Sequence, residues 1–307
     1  MVLSEEVKMR FVIENNTCVF SMSGGNAAAV KVPDGSWLVF KTKDCFGNQV
    51  RSADMEFQSL DWDNINPATG PVYVEGAEPG DTLRIRIRDI AVGDRCTMMA
   101  GPGLGLSGDL VKKNEVRIVP VRNGFVEYSP QVKVPVRPMI GVIGVAPVPE
   151  AGEINCGTPG EHGGNMDCKE ITAGADLYLR VNVPGALLAM GDLHAAMGDG
   201  EVSVCGAEIP GEVTVEVNVL KNAALPSPLL VTEKMVATIA SAKTLEEAAE
   251  LATHDAVRLL ETRSGLSAYD AISLLSLAGN LAICQVVDPL KTVRMEMPKT
   301  IFGHLQF

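Results

Sequence analysis

Thr82-Leu83-Arg84-Ile85-Arg86-Ile87-Arg88-Asp89 alternates aliphatic and charged residues without a break. Successive side chains of a strand point to opposite faces, so Leu83, Ile85 and Ile87 fall on one side of a pleated strand and the arginines on the other. A helix would scatter the same residues around its circumference. The stretch predicts a strand in a sheet with one buried and one wet face.

The same texture extends from about residue 8 to residue 235, where short β-branched runs are separated by Gly and Pro. Strands are expected over Ser36 to Thr42, Thr82 to Asp89, Val116 to Val121, Asp176 to Val183 and Glu212 to Val219. Asn123-Gly124, ahead of Phe125 to Tyr128, supplies the two residues that tolerate the positive φ of a type I′ turn, which predicts a hairpin. Three segments share a loose form: Val30-Lys31-Val32 to Val39, Val72-Tyr73-Val74 to Leu83, and Ile171-Thr172 to Leu179. Each is an apolar run, a Gly turn and a β run, which suggests repeated hairpins at an irregular period. Asn66-Pro67-Ala68-Thr69-Gly70-Pro71 reads as a turn by composition.

Beyond residue 240 the texture changes. Thr244-Leu245-Glu246-Glu247 has the form of a capping box and precedes an Ala/Leu-rich helical pattern to Thr262. Ser267 offers a second cap, before a low-charge run from Ala271 to Cys284 that reads as a buried helix. A last strand, Thr292 to Met297, lies between Pro289 and Pro298. The expected fold is predominantly β with α additions, an α+β chain with a β-sandwich-like core and a C-terminal helical hairpin. It is expected to form one composite domain over residues 1–307: β-rich 1–240, helical hairpin 241–287, terminal strand and tail 288–307.

Apolar residues make up 46% of the 307-residue chain and charged residues 21%, enough for a sizeable core and against disorder. The formal charge of −12 would repel a phosphate backbone, so no nucleic-acid partner is expected. Glu5, Glu6, Lys8 and Arg10 interrupt the segment where a secretory signal would be apolar, and the run Leu277 to Val287 is too short to span a bilayer. The seven cysteines include no Cys-x-x-Cys pair. Together these features predict a soluble protein of the reducing cytoplasm, with no membrane partner.

Of the four histidines, His254 within the helical pattern and His304 in the tail read as surface or packing residues. His162 and His194 stand among carboxylates and glycines. If Ala186 to His194 and Glu201 to Cys205 are strands closed over Ala195 to Gly200, Asp192 and His194 share a face. His194 then sits opposite Glu201, and Asp192 opposite Ser203. Carboxylates with a neutral imidazole suit a divalent metal, which acidifies water and polarises a carbonyl. The competing reading is a solvated polar hairpin. A second candidate loop, Asn155 to Asp167, carries Cys156, His162, Asn165 and Asp167 among four glycines; Asn165 and glycine amides could donate to a developing oxyanion. Cys156 or Cys168 could instead act as a nucleophile with a histidine base, although a buried thiol is the commoner outcome. Glu75 and Glu78 read as surface turn acids.

Residues Asn66 to Asp81, His162-Gly163-Gly164-Asn165-Met166-Asp167 and Gly191-Asp192-Leu193-His194-Ala195-Ala196-Met197-Gly198-Asp199-Gly200-Glu201 resemble, in order, motifs of the acetamidase/formamidase family. The similarity spans about Val30 to Pro298, while the stretch up to Ala29 lacks a His-containing segment expected of members with the full site. The resemblance implies hydrolysis of a small aliphatic amide to a carboxylate and ammonia by a metal-dependent homodimer or higher homo-oligomer. It implies His162, Asp192 and His194 as metal ligands, with zinc as the first choice and calcium, manganese or iron as alternatives. Glu201, Asp199 and Asn165 would be catalytic, and Asp44, Glu75 and Asp167 would lie at the substrate. The rivals are a cysteine-nucleophile amidase and a non-catalytic, metal-stabilised β-sandwich that binds a small ligand.

Overall fold

The computed structural model describes residues 9–55 and 59–303. The Thr82–Val92 strand is central to a nine-stranded sheet. The order is Arg10–Ile13, Trp37–Thr42, Gly211–Leu220, Thr82–Val92, Asp176–Arg180, Leu229–Val231, Met235–Ala242, Lys291–Pro298 and Asn280–Gln285. Only the first pair is parallel. Leu83, Ile85 and Ile87 are fully buried, each contributing about 1.5–3 kcal/mol by leaving water. On the opposite face Arg84 and Arg86 share Asp176, and Arg88 pairs with Glu216. The alternation thus sorts as expected.

The second, eleven-stranded sheet is built around Leu188–His194. Met139–Gly144, Ala68–Val74 and Glu208–Ile209 pair with this strand, and Arg95–Ala100, Glu115–Arg122 and Phe125–Val126 extend the sheet. Aliphatics of both sheets interlock in one core, with Leu83, Val215 and Leu177 against Val72, Ile140 and Leu193. This is the sandwich expected. The Asn123-Gly124 hairpin forms as predicted, with φ of 51° and 77° at the two positions and Phe125 paired with Arg122.

Three expectations change. The repeated segments are not hairpins: Val30–Val32 and Ala68–Val74 pair with each other in the second sheet, while Trp37–Thr42 and Thr82–Val92 belong to the first. The Gly35 and Gly80 turns carry the chain between sheets, while in the third segment Ile171-Thr172 is not a strand. The Asn66-to-Pro71 stretch is not simply a turn either, since Ala68–Val74 is a strand whose irregular pairing with Leu188–His194 absorbs the Gly and Pro.

The helical hairpin is shorter than expected. One helix runs Leu245–Ser264, capped by the Thr244 side chain on Glu247 N–H, and buries Ala248, Ala252, Leu259 and Leu260. The next, Ala268–Ala278, is capped by Ser267 but stops at Gly279, and Asn280–Gln285 is a strand. An Ala/Leu/Ile run has no periodicity that distinguishes a helix from an edge strand, and pairing with Lys291–Pro298 decided it. Nor is that helix buried throughout: Ile272 and Leu277 face outward. His254 is exposed on the first helix, whereas His304 and the acidic N-terminal residues lie outside the described residues. Among the described residues, no helix is long and apolar enough to cross a membrane.

Candidate functional site

Leu188–His194 is buried along its whole length because strands flank both edges and the other sheet covers it. Asp192 takes a φ of 54°, which breaks the two-residue alternation, yet its Oδ1 still lies 3.4 Å from His194 Nε2. His194 is in register with Met139 on one side and Glu208 on the other. Glu208 Oε1 is 3.2 Å from the same nitrogen, Asp167 Oδ1 3.7 Å and Glu201 Oε1 4.0 Å. His194 is 0% exposed and Glu201, the most accessible of the group, 7%. Carboxylates from four separate stretches therefore converge on one buried imidazole.

The backbone is strained to bring them there. Asp167, Asp192 and Glu201 have φ of 42°, 54° and 47°, and the β-branched Val204 has 86°. Each costs on the order of 1–2 kcal/mol and persists only where the surroundings over-determine it, as happens at functional sites. Two glycines make the room. A Cβ at Gly141 would lie 2.5 Å from Asp167 Oδ1 and 2.7 Å from Asp192 Oδ2, and one at Gly206 would lie 2.5 Å from His194 Nδ1.

Electrostatically the centre is overloaded with negative charge. Burial, reinforced by neighbouring carboxylates, pushes Asp167 and Glu201 well above the usual range and Glu208 to about 7. Burial opposes charge on His194, but Glu208 and Asp192 outweigh it and hold the imidazole well above its ordinary value. Burial acts against Asp192 too, yet the positive charge of the imidazolium beside it brings that carboxyl below the usual value. Both oxygens of Asp167, Asp192 Oδ1, Glu208 Oε2, Asp288 Oδ2 and both His194 nitrogens are buried without a hydrogen-bond partner. Unpartnered buried charge costs several kcal/mol per group, which a divalent cation would offset. Two sets of ligand atoms lie within 4.8 Å of one another: Asp167, His194 and Glu201; and Cys45, Asp192 and Glu208.

A cavity of about 130 Å³ opens on this cluster, lined by Asn165, Asp192, Glu201, Glu208, Asp288 and Trp62 among others. A larger cleft of about 520 Å³ lies beside it, and Glu201 and Cys205 line both. Asp288 arrives on the turn after Asn280–Gln285, where the buried Gln285 carboxamide accepts from the Val287 and Asp288 amides and donates to Leu290 O.

Of the residues singled out from the sequence, Asp167, Asp192, His194 and Glu201 meet in the cluster, and Asn165 lines its cavity with Oδ1 unpartnered. The expected hairpin does not bring them together. Glu201 to Cys205 is a turn, not a strand, and Glu208 rather than Glu201 stands opposite His194. Asp44 is buried nearby, its carboxylate accepting from Asn48 N–H, and burial with the Asp192 charge pushes it to about 6. Three residues are not brought in. His162 is buried with Nε2 unpartnered, but among the described residues no carboxylate oxygen lies within 4.0 Å of its ring nitrogens, and burial alone lowers it to about 4. Asp199 is held by Arg294 at 2.7 and 2.9 Å and by Lys169 at 2.7 Å. Glu75 is exposed on a turn remote from these contacts.

Glu208, Asp288 and Cys45 escaped the sequence reading. The only signal for Glu208 was a lone acid in the otherwise apolar run Gly206-Ala207-Glu208-Ile209-Pro210. Cys156 and Cys168 line neither cavity; burial pushes the Cys156 thiol to about 12, and Cys168 is buried against Cys284 beside Arg294.

A two-sheet β scaffold carrying a buried carboxylate–imidazole cluster, able to hold a divalent cation beside a cavity, defines the class. The sequence profile of the Acetamidase/Formamidase family matches residues 26–155 and 151–304, and the chain belongs to that family. An acetamidase of known structure from Bacillus halodurans is 45% identical, with a TM-score of 0.94 over 97% of this chain and 100% of its own. A structure described as a predicted acetamidase/formamidase, from Thermoanaerobacter tengcongensis, is 44% identical with a TM-score of 0.95, over 98% and 100% of the two chains. The acetamidase of Mycolicibacterium smegmatis is 27% identical over 63% of this chain and 64% of its own length, so the match spans less than two thirds of that relative.

Proposed function

We propose that the chain hydrolyses a linear carboxamide to a carboxylate and ammonia at the Asp192/His194 cluster, with a divalent cation as cofactor. The observation that carries this reading is the set of buried, unpartnered oxygens around His194 beside a cavity large enough for an amide. Family membership and the similar acetamidases support it. The ligand sets offered are Asp167, His194 and Glu201 on one side and Asp192, Glu208 and Cys45 on the other. Their mainly oxygen and imidazole donors suit zinc, manganese or iron, with calcium less favoured by a thiol and an imidazole. When bound, such an ion supplies Lewis-acid polarisation of a carbonyl and acidifies water.

The protein's own residues supply the proton handling. Among the described residues, Glu201 is the one cluster carboxylate that faces both cavities, so it is placed to take a proton from water and return it to the departing nitrogen. Asn165 is placed to donate its amide N–H to the substrate oxygen. Glu208 and Asp192 hold the imidazole in position, and Asp199, through Arg294, anchors the turn leading to Glu201. His162 becomes a wall residue of its Gly-rich loop in this reading, and Asp44 a supporting acid. A homo-oligomeric, cytoplasmic enzyme fits the outward apolar side chains of Ala268–Ala278 and the free cysteines.

The test is ammonia release from formamide and acetamide, together with metal analysis. The reading expects activity that chelation abolishes and a divalent ion restores; full activity after exhaustive chelation would overturn the metal requirement.

A further inference from the structure

The cleft beside the acidic cavity is not used by a formamide-sized substrate. At about 520 Å³ it is within the range of small-molecule sites, roughly 300–1,000 Å³, whereas about 130 Å³ at the acids suffices for the reacting group. Its walls include Met98, Val126, Tyr128, Val134, Met197 and Val202. Exposed apolar side chains scattered singly need no explanation, but these lie together and lead to a reactive centre. Tyr128, Val134 and Val202 are 41%, 41% and 58% exposed.

Two of the three charged residues of the cleft are paired with neighbours outside it. Asp199 is gripped by Arg294 and Lys169, and Arg137 by Glu170. That leaves Glu201 as the charged group without a salt-bridge partner on this wall, at the boundary with the acidic cavity. The cleft also runs along the segment Cys205-Gly206-Ala207, whose Gly206 packs on the His194 ring. Among the described residues that line it, the cleft offers no unpaired cation for a carboxylate and no unpaired anion beyond Glu201 for an amine. A neutral apolar chain matches it.

The geometry points to a primary amide with an extended aliphatic or aryl acyl group as the substrate, its carboxamide in the acidic cavity and its chain in the apolar cleft. This rests on the amide-hydrolysing reading above and narrows it. Each methylene moved from water into such a cleft strengthens binding by about three- to fourfold. The chain-length series acetamide, butanamide and hexanamide therefore tests it, with affinity read from thermal-shift titration of the purified protein and kcat/KM from ammonia release. The expected result is affinity and kcat/KM that both climb along the series. Val134→Asp and Val202→Asp, at exposed positions that tolerate substitution, should lower the hexanamide-to-acetamide ratio about tenfold. Hexanamide binding no tighter than acetamide, or a ratio unmoved in both variants, would overturn the inference. Tight hexanamide binding without ammonia from any amide supports the cleft while defeating the amidase reading.

Discussion

Glu208 Oε1 lies 3.2 Å from His194 Nε2 across a pair of adjacent strands, within the buried cluster on which the acidic cavity opens. Glu208 and His194 are 14 residues apart in sequence, and the loop between them carries Glu201, Val204 and Cys205 to the same cavity. Glu208→Gln keeps the shape and removes the charge. We expect a loss of cation affinity of about 10–100-fold, as for other groups that orient metal ligands, with amide turnover falling at least as far. Calorimetric titration with Zn²⁺ and Mn²⁺ beside ammonia release would check both.

Gly141→Ala and Gly206→Ala test the room made for the site. The added methyl would press on Asp167 and Asp192 in the first variant and on His194 in the second, all of them buried side chains. A displacement of about 1 Å at a reacting group costs roughly 100-fold in rate, so both variants should lose that order of activity while retaining a native far-UV spectrum.

In the cation-free protein, stability should fall as pH rises from about 5 to 8. Glu208 titrates near 7 folded against 4.5 unfolded, so the folded state holds a proton that the unfolded chain has released, and raising pH favours unfolding. His194, raised well above 6.5, acts in the same direction, with its contribution lost as pH climbs through its folded value. Urea denaturation at a series of pH values with chelator should show the decline. Saturating divalent cation should flatten it.

Arg294→Ala removes a buried guanidinium that holds Asp199 bidentately and also bonds Glu296 and Ile283 O. Breaking a buried pair costs about 3–5 kcal/mol, and the partial exposure of Asp199 places this one at or below the lower end. Asp199 is held below its ordinary value of 3.8. Burial raises it, but its bonds to Arg294 and Lys169 outweigh that. Its stabilisation is therefore present above pH 3.8 and lost on acidification through the lower folded value; the variant, which keeps only the Lys169 contact, should show a smaller acid-side loss in denaturation curves.

Cys156→Ala and Cys168→Ala should both retain chelator-sensitive turnover, since neither thiol lines a cavity. Near-complete loss of kcat in the Cys156 variant, with the fold intact, would favour a thiol nucleophile instead.

By itself the sequence determined the strands and most of the core. Alternation at Thr82 to Asp89, the Asn123-Gly124 turn and the Thr244 cap are local patterns with local physical causes, and all three formed as read. Its motifs also marked Asp167, Asp192, His194 and Glu201, together with His162, Asn165 and Asp199. Tertiary structure decided how that group assembles. The left-handed φ of Asp192 and Glu201 overrode the two-residue alternation, so the expected hairpin gave way to a turn, and strand pairing brought Glu208 to His194. Asp288 and Cys45 came from distant loops that no spacing rule connects, and Asp199 was diverted to Arg294 on the other sheet. Periodicity records which face a side chain takes. The identity of the residue it faces depends on register between strands remote in sequence, which only the packed sheets determine.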